Sequence, residues 1–170
     1  MFTATQELDV AVDTLYYRRV MRRLATGVTV VTVRDGNFVH GMTANTFTSV
    51  SLTPTLVLIS VMRSSTTHEF ITRARNFAVN ILSAAQRPLA ERFAHQVPMP
   101  PEPFGDIAYH EQATGAPIFD DCIAYVDCRL VAAHDAGDHT LFIGEVVDLG
   151  FGHSKDAAPL LWLDGKYTSA

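Results

Sequence analysis

The sequence predicts a mainly β fold, a barrel or a sandwich to which a few short helices are added. Several short segments are rich in β-branched residues, and "VTVVTV" at 28–33 is the clearest of them. Asp35-Gly36, a pair typical of tight hairpins, joins this segment to the next, so we expect a largely antiparallel sheet. Helical periodicity is confined to two or three short segments, which leaves strands as the main elements.

Length and composition indicate one folded domain. The chain has 170 residues, of which 48% are apolar and 18% charged, so it can bury a substantial core and is not expected to be disordered. We expect a flexible tail at residues 1–13 and a single domain at residues 14–170. The net charge of −5 argues against a general nucleic-acid binder and against docking on an anionic membrane, because both need excess positive charge.

Three features favour a cytoplasmic location. The longest apolar run, residues 56–62, is far shorter than the roughly 20 residues that a membrane-spanning helix needs. The N-terminal segment contains no basic cluster of the kind that starts a secretory signal. Cys122 and Cys128 should lie about 20 Å apart on one strand, too far for a disulfide, so we expect both to be reduced thiols that pack in the core.

The first predicted element is a helix that begins at Asp13 or Thr14 and ends at Gly27. It carries two Arg-Arg pairs, at 18–19 and 22–23, which lie away from its apolar stripe on the helical wheel. These arginines are interpreted either as a solvated face or as a docking surface for an acidic partner or a nucleotide phosphate. The apolar stripe consists of Tyr17, Val20, Met21 and Leu24.

The remaining elements follow in order along the chain. After the strand at 28–33 we predict a returning strand at 38–48 and a buried strand at 56–62. Thr66 and Glu69 have the spacing of a capping box and should start a second helix. Further strands are predicted at 76–82, 123–131, 140–149 and in the closing segment 159–167, with a helix from Ser83 to Phe93 and a Pro-rich loop at 96–106.

A polar stretch, "GMTANTF" at 41–47, interrupts an otherwise apolar region. Thr43, Asn45 and Thr46 stand where core residues are expected, and buried polar groups cost free energy unless they are hydrogen-bonded. Either the protein pairs these groups itself or a ligand does. Gly41 is expected to allow a close approach of its backbone.

The sequence lacks the motifs of several common enzyme classes. It contains no dinucleotide-binding G-x-G-x-x-G, no phosphate-binding P-loop and no G-x-S-x-G nucleophile motif. No nucleophile–base pair stands out, as expected for chemistry that a bound cofactor carries out. The His and Asp residues at 134–139 are interpreted as hairpin-turn residues, and we predict no metal site.

Five motifs occur in the order and spacing of a known family. They are "GMTANTFTSVSLTP" at 41–54, "VMRSSTTHEF" at 61–70, "NFAVNIL" at 76–82, "GDHTLFIGEV" at 137–146 and "PLLWLDGKY" at 159–167. In these motifs the chain resembles the flavin reductase-like, split-barrel FMN-binding family, and most of all the reductase components of two-component flavin-dependent monooxygenases. The resemblance extends over roughly residues 14–168.

This resemblance implies a Greek-key split β-barrel with short flanking helices, which works as a homodimer and binds FMN or FAD in a surface groove. It also implies an NAD(P)H:flavin oxidoreductase, in which hydride passes from C4 of NADH or NADPH to N5 of the flavin. Many members release the reduced flavin to a separate oxygenase. We therefore expect such a partner, whereas nucleic acid and membrane are not expected.

The resemblance also implies the residues of the flavin site. The stretch 43–46 is expected to line the flavin ring and ribityl chain, and His139 is the expected catalytic residue, next to the nicotinamide. The flavin phosphate is expected at the start of the second helix, where free N–H groups favour an anion. The predicted cofactor-binding residues are Thr43, Ala44, Asn45, Thr46, Arg63, Ser64, Ser65, Thr67, Asn80, Ile81, Leu82 and Tyr167.

Two other functions remain open at this stage. A split barrel of this kind can bind flavin without turnover, and a related barrel carries oxidases of the pyridoxamine phosphate type. The "GDH" stretch at 137–139 and the absence of a strongly basic phosphate cradle argue against the oxidase.

Overall fold

A computed structural model describes residues 12–169 of the chain, so the predicted tail lies, up to residue 11, outside the described residues. The helices are α1 (Thr14–Met21), α2 (Thr66–Ala74) and α3 (Arg87–Phe93), and a short 3-10 helix, Ala84–Gln86, precedes α3. The strands are β1 (Thr26–Gly27), β2 (Thr29–Asp35), β3 (Phe38–Ala44), β4 (Thr48–Leu52), β5 (Thr55–Met62), β6 (Asn76–Ile81), β7 (Tyr109–Glu111), β8 (Pro117–Phe119), β9 (Ala124–Ala136), β10 (His139–Phe151), β11 (Leu160–Leu163) and β12 (Lys166–Ser169).

Seven strands form one antiparallel sheet in the order β3-β2-β6-β9-β10-β5-β4. Its edge strands, β3 and β4, are consecutive in the chain, and only residues 45–47 join them. A flat sheet of seven strands would hold its edges about 29 Å apart, whereas such a short connection bridges at most about 14 Å. The sheet therefore curls into a barrel that is open between β3 and β4. The prediction of a mainly β split barrel with short flanking helices is confirmed.

Two small sheets are added to the barrel. β11 pairs with both β1 and β12, and β7 pairs with β8 after the Pro-rich loop. The N–H of Val28 donates to the carbonyl of Leu160 (2.9 Å), and the N–H of Leu160 donates to the carbonyl of Leu82 (2.9 Å). These hydrogen bonds join the start of β11 to the residues just before β2 and just after β6.

Two apolar clusters form the core. One includes Ile59, Phe77 and Phe142, and the other joins Phe93 of α3 and Phe104 of the Pro-rich loop to the sheet. The second cluster explains Gly41, because a Cβ added there would lie 2.7 Å from Cε1 of Phe93 and 3.1 Å from Cζ of Phe104. The close approach expected at Gly41 is therefore made by core aromatic rings.

Several elements differ from their predicted bounds. β9 continues to Ala136 and β10 begins at His139, so only Gly137 and Asp138 form the turn that was predicted at 134–139. The single strand predicted at 38–48 is divided, because β3 ends at Ala44 and β4 begins at Thr48 on the opposite edge of the sheet. α1 ends at Met21, well before Gly27, and none of its eight residues is buried. Its apolar stripe therefore does not pack into the core.

The start of α2 also differs from the prediction. Ser65, and not Thr66, is the N-cap, because the Oγ of Ser65 accepts a hydrogen bond from the N–H of His68 (3.2 Å). The capping residue moves one position towards the N-terminus, and Glu69 remains in the first turn of the helix. The shift matters for the site, since it places Ser64 just outside the helix.

Candidate functional site

The polar stretch crosses the opening of the barrel. The last main-chain pair between β4 and β5 on this side is Thr48 with Leu58, so continuing the register would place Thr46 opposite Ser60. The Oγ1 of Thr46 donates a hydrogen bond to the carbonyl of Ser60 (2.9 Å) and accepts one from its N–H (3.3 Å). The hydroxyl of Thr46 therefore takes the place of a main-chain hydrogen-bonding partner for Ser60, at the point where the pairing of β4 with β5 ends.

The neighbouring polar side chains are also paired within the protein. The Oγ1 of Thr43 donates to the carbonyl of Ala90 in α3 (2.7 Å), and the Nδ2 of Asn45 donates to the Oγ1 of Thr26 (3.1 Å). Ala44 is buried in the core, whereas Asn45 is exposed. The polar stretch is thus supported by the fold and still presents polar atoms at the surface.

Two clefts meet at Asn45 and Trp162, which line both of them. The α1 cleft, about 350 Å³, lies between Tyr17, Arg18, Met21 and Arg22 on one side and Thr26 and Thr46 on the other. The main cleft, about 230 Å³, lies between the polar stretch, the end of α3 and the β11–β12 hairpin, and is lined by Val28, Thr43, Asn45, Ala94, Gln96, Trp162 and Tyr167.

Aromatic side chains form one wall of the main cleft. Trp162 and Tyr167 pack edge to face with their ring centroids 4.9 Å apart, and the guanidinium of Arg87 lies 5.6 Å from the centroid of Tyr167. Burial raises the pKa of Tyr167, and the carboxylate of Glu91 raises it further, so the phenol stays neutral and can donate a hydrogen bond. Such a wall, facing the polar stretch, suits a flat ring with polar edges.

A second group of predicted site residues lies at the end of β5. Met62 pairs with His139 of β10, and the N–H of Arg63 donates to the carbonyl of Asp138 (3.0 Å). The guanidinium of Arg63 is exposed and lies 3.4 Å from the carboxylate of Asp135. The Nδ1 of His139 lies 2.7 Å from Oδ1 of Asp138, and this hydrogen bond lowers the pKa of Asp138. Arg63 and His139 are therefore neighbours.

The start of α2 adjoins this group. Ser64 is exposed and Ser65 is half-buried as the helix cap. Thr67 is buried, and its Oγ1 lies 2.8 Å from Nε2 of His40, so its side chain does not reach the surface. Of the predicted phosphate residues, only Ser64, Ser65 and Arg63 are therefore open to a ligand.

The polar stretch and the Arg63–His139 group are linked through β5. Thr46 is hydrogen-bonded to Ser60, and Arg63 follows Ser60 by about 10 Å along the chain. The structure thus brings the polar stretch and Tyr167 together along the two adjoining clefts, called the groove below, whereas Arg63 and His139 line neither cleft.

The side chains of Asn80, Ile81 and Leu82 are not brought to this groove. Asn80 is fully buried, its Nδ2 donates to the carbonyl of Val30 (3.2 Å), and its Oδ1 accepts from the N–H of Phe119 (2.8 Å). Leu82 is fully buried in the core, and Ile81 is half-buried between β2 and β9. Burial therefore argues against contacts of the Asn80 and Leu82 side chains with a ligand.

The described part of the chain was also searched for reactive cysteines, metal sites and membrane-spanning helices. Cys122 and Cys128 are buried and unpaired, and burial raises their pKa to about 11 and about 12, so neither is a reactive thiolate. Among residues 12–169, no three His, Cys, Asp or Glu side chains lie together as metal ligands would. Within the same residues, no helix has the length and apolar character needed to cross a membrane.

Comparison with known proteins decides the family. Residues 21–170 match the family model described as the flavin reductase like domain. The chain belongs to the flavin reductase-like family. This confirms the resemblance found in the five sequence motifs.

Relatives in this family are similar over most of their length. The chain is 37% identical to an NADH-dependent flavin reductase of a Rhodococcus species, over 96% of this chain and 90% of that protein. It is 40% identical to the FMN reductase (NADH) SmoA of Agrobacterium fabrum, over 89% and 83%. The similarity to these relatives therefore extends over most of the chain.

Solved structures of the family agree with the fold described above. The flavin reductase PheA2 is 42% identical and gives a TM-score of 0.85, over 94% of this chain and 99% of that chain. The NADH:FAD oxidoreductase SgcE6 of Streptomyces globisporus, solved in complex with NAD and FAD fragments, is 36% identical with a TM-score of 0.83, over 92% of each chain.

Several lining residues of the groove were not among the predicted site residues, and Trp162, Gln96 and Arg18 illustrate the reasons. Trp162 lies in the family motif "PLLWLDGKY", and its aromatic character was the available signal, but only the structure places it between two clefts. Gln96, at the start of the Pro-rich loop, carried no signal. Arg18 was noted as part of an arginine cluster, without a site to which it could be assigned.

Proposed function

We propose that the protein is an NAD(P)H:flavin oxidoreductase that supplies reduced FMN or FAD to a separate monooxygenase. The groove carries this proposal, because it joins the polar stretch to the Trp162–Tyr167 wall, and the open start of α2 follows Ser60 at the end of β5. The relatives support it: two are named as NADH-dependent flavin or FMN reductases, and one solved relative holds NAD and FAD fragments.

The residues of the groove fit a flavin. The main cleft offers an aromatic wall to the ring, and Asn45 offers polar atoms to its edge. The start of α2 suits the phosphate, since the N–H groups of a first turn attract anions and Ser64 and Arg63 are exposed beside it. Glu69 in that turn opposes a phosphate, and the guanidinium of Arg63 already lies 3.4 Å from the carboxylate of Asp135, so the free N–H groups would supply most of the attraction.

The protein's own part in the reaction is to bind, orient and shield. A bound flavin supplies the hydride acceptor. Holding two rings in contact in a productive orientation accounts for most of the acceleration. Trp162 and Tyr167 would shield one side of the main cleft from water, and His139, which is hydrogen-bonded to Asp138, would contact the nicotinamide.

The active form is a homodimer. Large apolar side chains are exposed on one protomer, including Tyr16 (61%) and Val20 (50%), which line no part of the α1 cleft. Exposed apolar side chains of this size favour burial against a second copy. Size-exclusion chromatography with light scattering should give twice the 18.7 kDa chain mass, and a monomer at micromolar concentration would refute this part of the proposal.

The proposed location is the cytoplasm. Cys122 and Cys128 are buried free thiols, which suit a reducing compartment. Cell fractionation should find the protein with cytoplasmic markers, and recovery from a secreted fraction would contradict this location.

The central experiment mixes the purified protein with NADH and FMN and follows the near-ultraviolet absorbance of NADH. Rapid loss of this absorbance under nitrogen, with bleaching of the flavin, is the expected result. Absence of turnover with both nicotinamides and both flavins would refute the reductase. Flavin binding without turnover would then favour a storage protein, and oxygen uptake with pyridoxamine phosphate would favour an oxidase.

A further inference from the structure

We infer that Arg87 is a positioning residue for the main cleft. Its guanidinium, which is paired with Glu91, holds the ring of Tyr167 in place, and that ring holds the indole of Trp162. Arg87 itself does not line the cleft, so it acts on a bound ligand only through Tyr167. That this ligand is a flavin rests on the proposed function, whereas the contacts among the four side chains do not.

A chain of contacts leads from α3 to the main cleft. The Nε of Arg87 donates to Oε1 of Glu91 (2.7 Å), and the guanidinium carbon lies 5.6 Å from the centroid of the Tyr167 ring, a distance at which a cation is attracted to an aromatic face. Tyr167 is paired with Trp162 across the β11–β12 hairpin, and their ring centroids are 4.9 Å apart. Both rings line the cleft, so a displaced guanidinium would displace the cleft wall.

The hairpin that carries the two rings is weakly supported on its outer side. β12 is the outer strand of its three-stranded sheet, and among the described strands it pairs with β11 alone. Strand pairing fixes the backbone of Tyr167, but it leaves the side-chain torsions free to change between staggered rotamers. A contact from α3 is therefore needed to keep the ring in one position.

The stability of α3 does not account for an arginine at this position. Arg87 is the first residue of α3, where the helix dipole disfavours a positive charge. In an ion pair four residues apart on a helix, the order with the acidic residue first is the more favourable, whereas here Arg87 precedes Glu91. The side chain of Arg87 is 58% exposed, so the ion pair alone contributes little to stability. The contact with Tyr167 gives this arginine a role that the helix does not.

The first test follows the fluorescence of Trp162, which is the only tryptophan of the chain. In the protein without ligand, R87Q should shift the emission maximum to longer wavelength, because a loosened Tyr167 ring exposes the indole to water. R87K keeps a cation near the ring, so its emission should remain close to that of the wild type.

The matched control is R73Q. The guanidinium of Arg73 lies 5.1 Å from the centroid of Phe70, and its Nε lies 2.9 Å from the carboxylate of Asp35. Its side chain is 58% exposed, as is that of Arg87, but it lies on α2 and lines neither cleft. R73Q should leave the emission of Trp162 unchanged. Equal shifts in R73Q and R87Q, or no shift in R87Q, would overturn the inference.

The second test measures the affinity for FMN by titration of flavin fluorescence. R87Q should weaken binding by about two- to fivefold in the wild-type background, the loss expected for one cation–aromatic contact at an exposed site. In the Y167L background R87Q should change the affinity by less than about 1.5-fold, because the ring through which Arg87 acts is absent. Equal losses in both backgrounds would show that Arg87 acts by another route, and the inference would be overturned.

E91A replaces the second test if Y167L does not fold. Loss of the carboxylate frees the guanidinium of Arg87, so E91A should shift the emission of Trp162 in the same direction as R87Q. The double variant R87Q/E91A should show no larger shift than R87Q, since both changes act on one contact. An unchanged emission in E91A, or shifts that add in the double variant, would overturn the inference.

The two proposals fail in different ways. If the wild type binds neither FMN nor FAD, the flavin reductase is refuted, and the emission of Trp162 still decides the role of Arg87. If the wild type reduces flavin but R87Q matches it in emission and in affinity, the inference is overturned and the reductase stands.

Discussion

The hydroxyl of Thr46 is hydrogen-bonded to both main-chain groups of Ser60, at 2.9 Å to the carbonyl and 3.3 Å to the N–H. These two bonds extend the pairing of β4 with β5 to the edge of the opening between β3 and β4. They also hold the polar stretch beside the main cleft and the α1 cleft, so that the fold and the site depend on the same side chain.

Thr46→Val removes this hydroxyl and keeps the shape of the side chain. We expect the free energy of unfolding to fall by about 1 kcal/mol, and flavin affinity to weaken by roughly fivefold because the polar stretch is no longer held. Urea unfolding and flavin titration measure the two effects. Thr48→Val is the control, since the hydroxyl of Thr48 makes only a 3.4 Å contact with the carbonyl of Ser49. Equal effects in both variants would contradict the role of the Thr46 bonds.

His139→Ala should slow hydride transfer more than it weakens flavin binding. The side chain lies near Arg63 and is hydrogen-bonded to Asp138 at 2.7 Å, and, if it orients the nicotinamide as proposed, its loss should lower the transfer rate by about tenfold. Stopped-flow absorbance measures the rate, and equilibrium titration measures flavin affinity. His153→Ala removes a similar surface His–Asp pair and serves as the control. If neither parameter changes, His139 is a turn residue only.

His40 makes the stability of the α2 region sensitive to acid. Its Nε2 lies 2.8 Å from Oγ1 of Thr67, its ring stacks on Phe70 at 5.0 Å, and burial, followed by the charge of His95, lowers its pKa below 6.5. The unfolded chain therefore binds the proton more tightly. The stabilisation is complete above about pH 6.5 and is lost as the pH falls towards the folded pKa.

This effect can be separated from the other histidines. The free energy of unfolding is measured in urea at about pH 5 and about pH 7.5 for the wild type and for His40→Gln. The variant should lose less stability on acidification than the wild type. His134→Gln, at an exposed position of the β9–β10 hairpin, should behave like the wild type. An equal loss in all three proteins would refute the assignment to His40.

Gly41→Ala should destabilise the protein by about 1–3 kcal/mol, because the new Cβ would press against Phe93 at 2.7 Å. Since Phe93 ends α3 just before Ala94, which lines the main cleft, flavin affinity should fall as well. Gly27→Ala is the matched control, as no atom lies within 4 Å of a Cβ added there. The melting temperature of each variant is measured by thermal unfolding. An equal decrease in both variants would show that the effect of Gly41→Ala is not steric.

The structure confirms those features of the sequence that depend on neighbouring residues. β-branched segments became strands, and Asp35-Gly36 became the β2–β3 turn, with Gly36 at φ +58°, a conformation that favours glycine. The five motifs were sufficient to recognise the family, since their order and spacing are themselves properties of the sequence.

The tertiary structure decided what depends on contacts between distant residues. Strand alternation puts Asp127 on the polar face of its strand, but it is fully buried because the hydroxyl and the N–H of Thr114 bind its carboxylate, the latter at 2.8 Å. Burial raises the pKa of Asp127. The partners of Asn80 are equally distant in sequence, and they exclude its side chain from the groove.

The groove likewise depends on contacts between residues that are distant in the sequence. Residue type and periodicity determined that the chain forms strands, a hairpin and an arginine-bearing helix, because these depend on local backbone preference. Only the strand order decided that β3 and β4, on either side of the polar stretch, lie on opposite edges of the sheet, and only the curling of the sheet brings these edges together. Only the return of β11 decided that Trp162 meets Asn45, because hydrogen bonds and packing between segments more than one hundred residues apart have no local signature in the sequence.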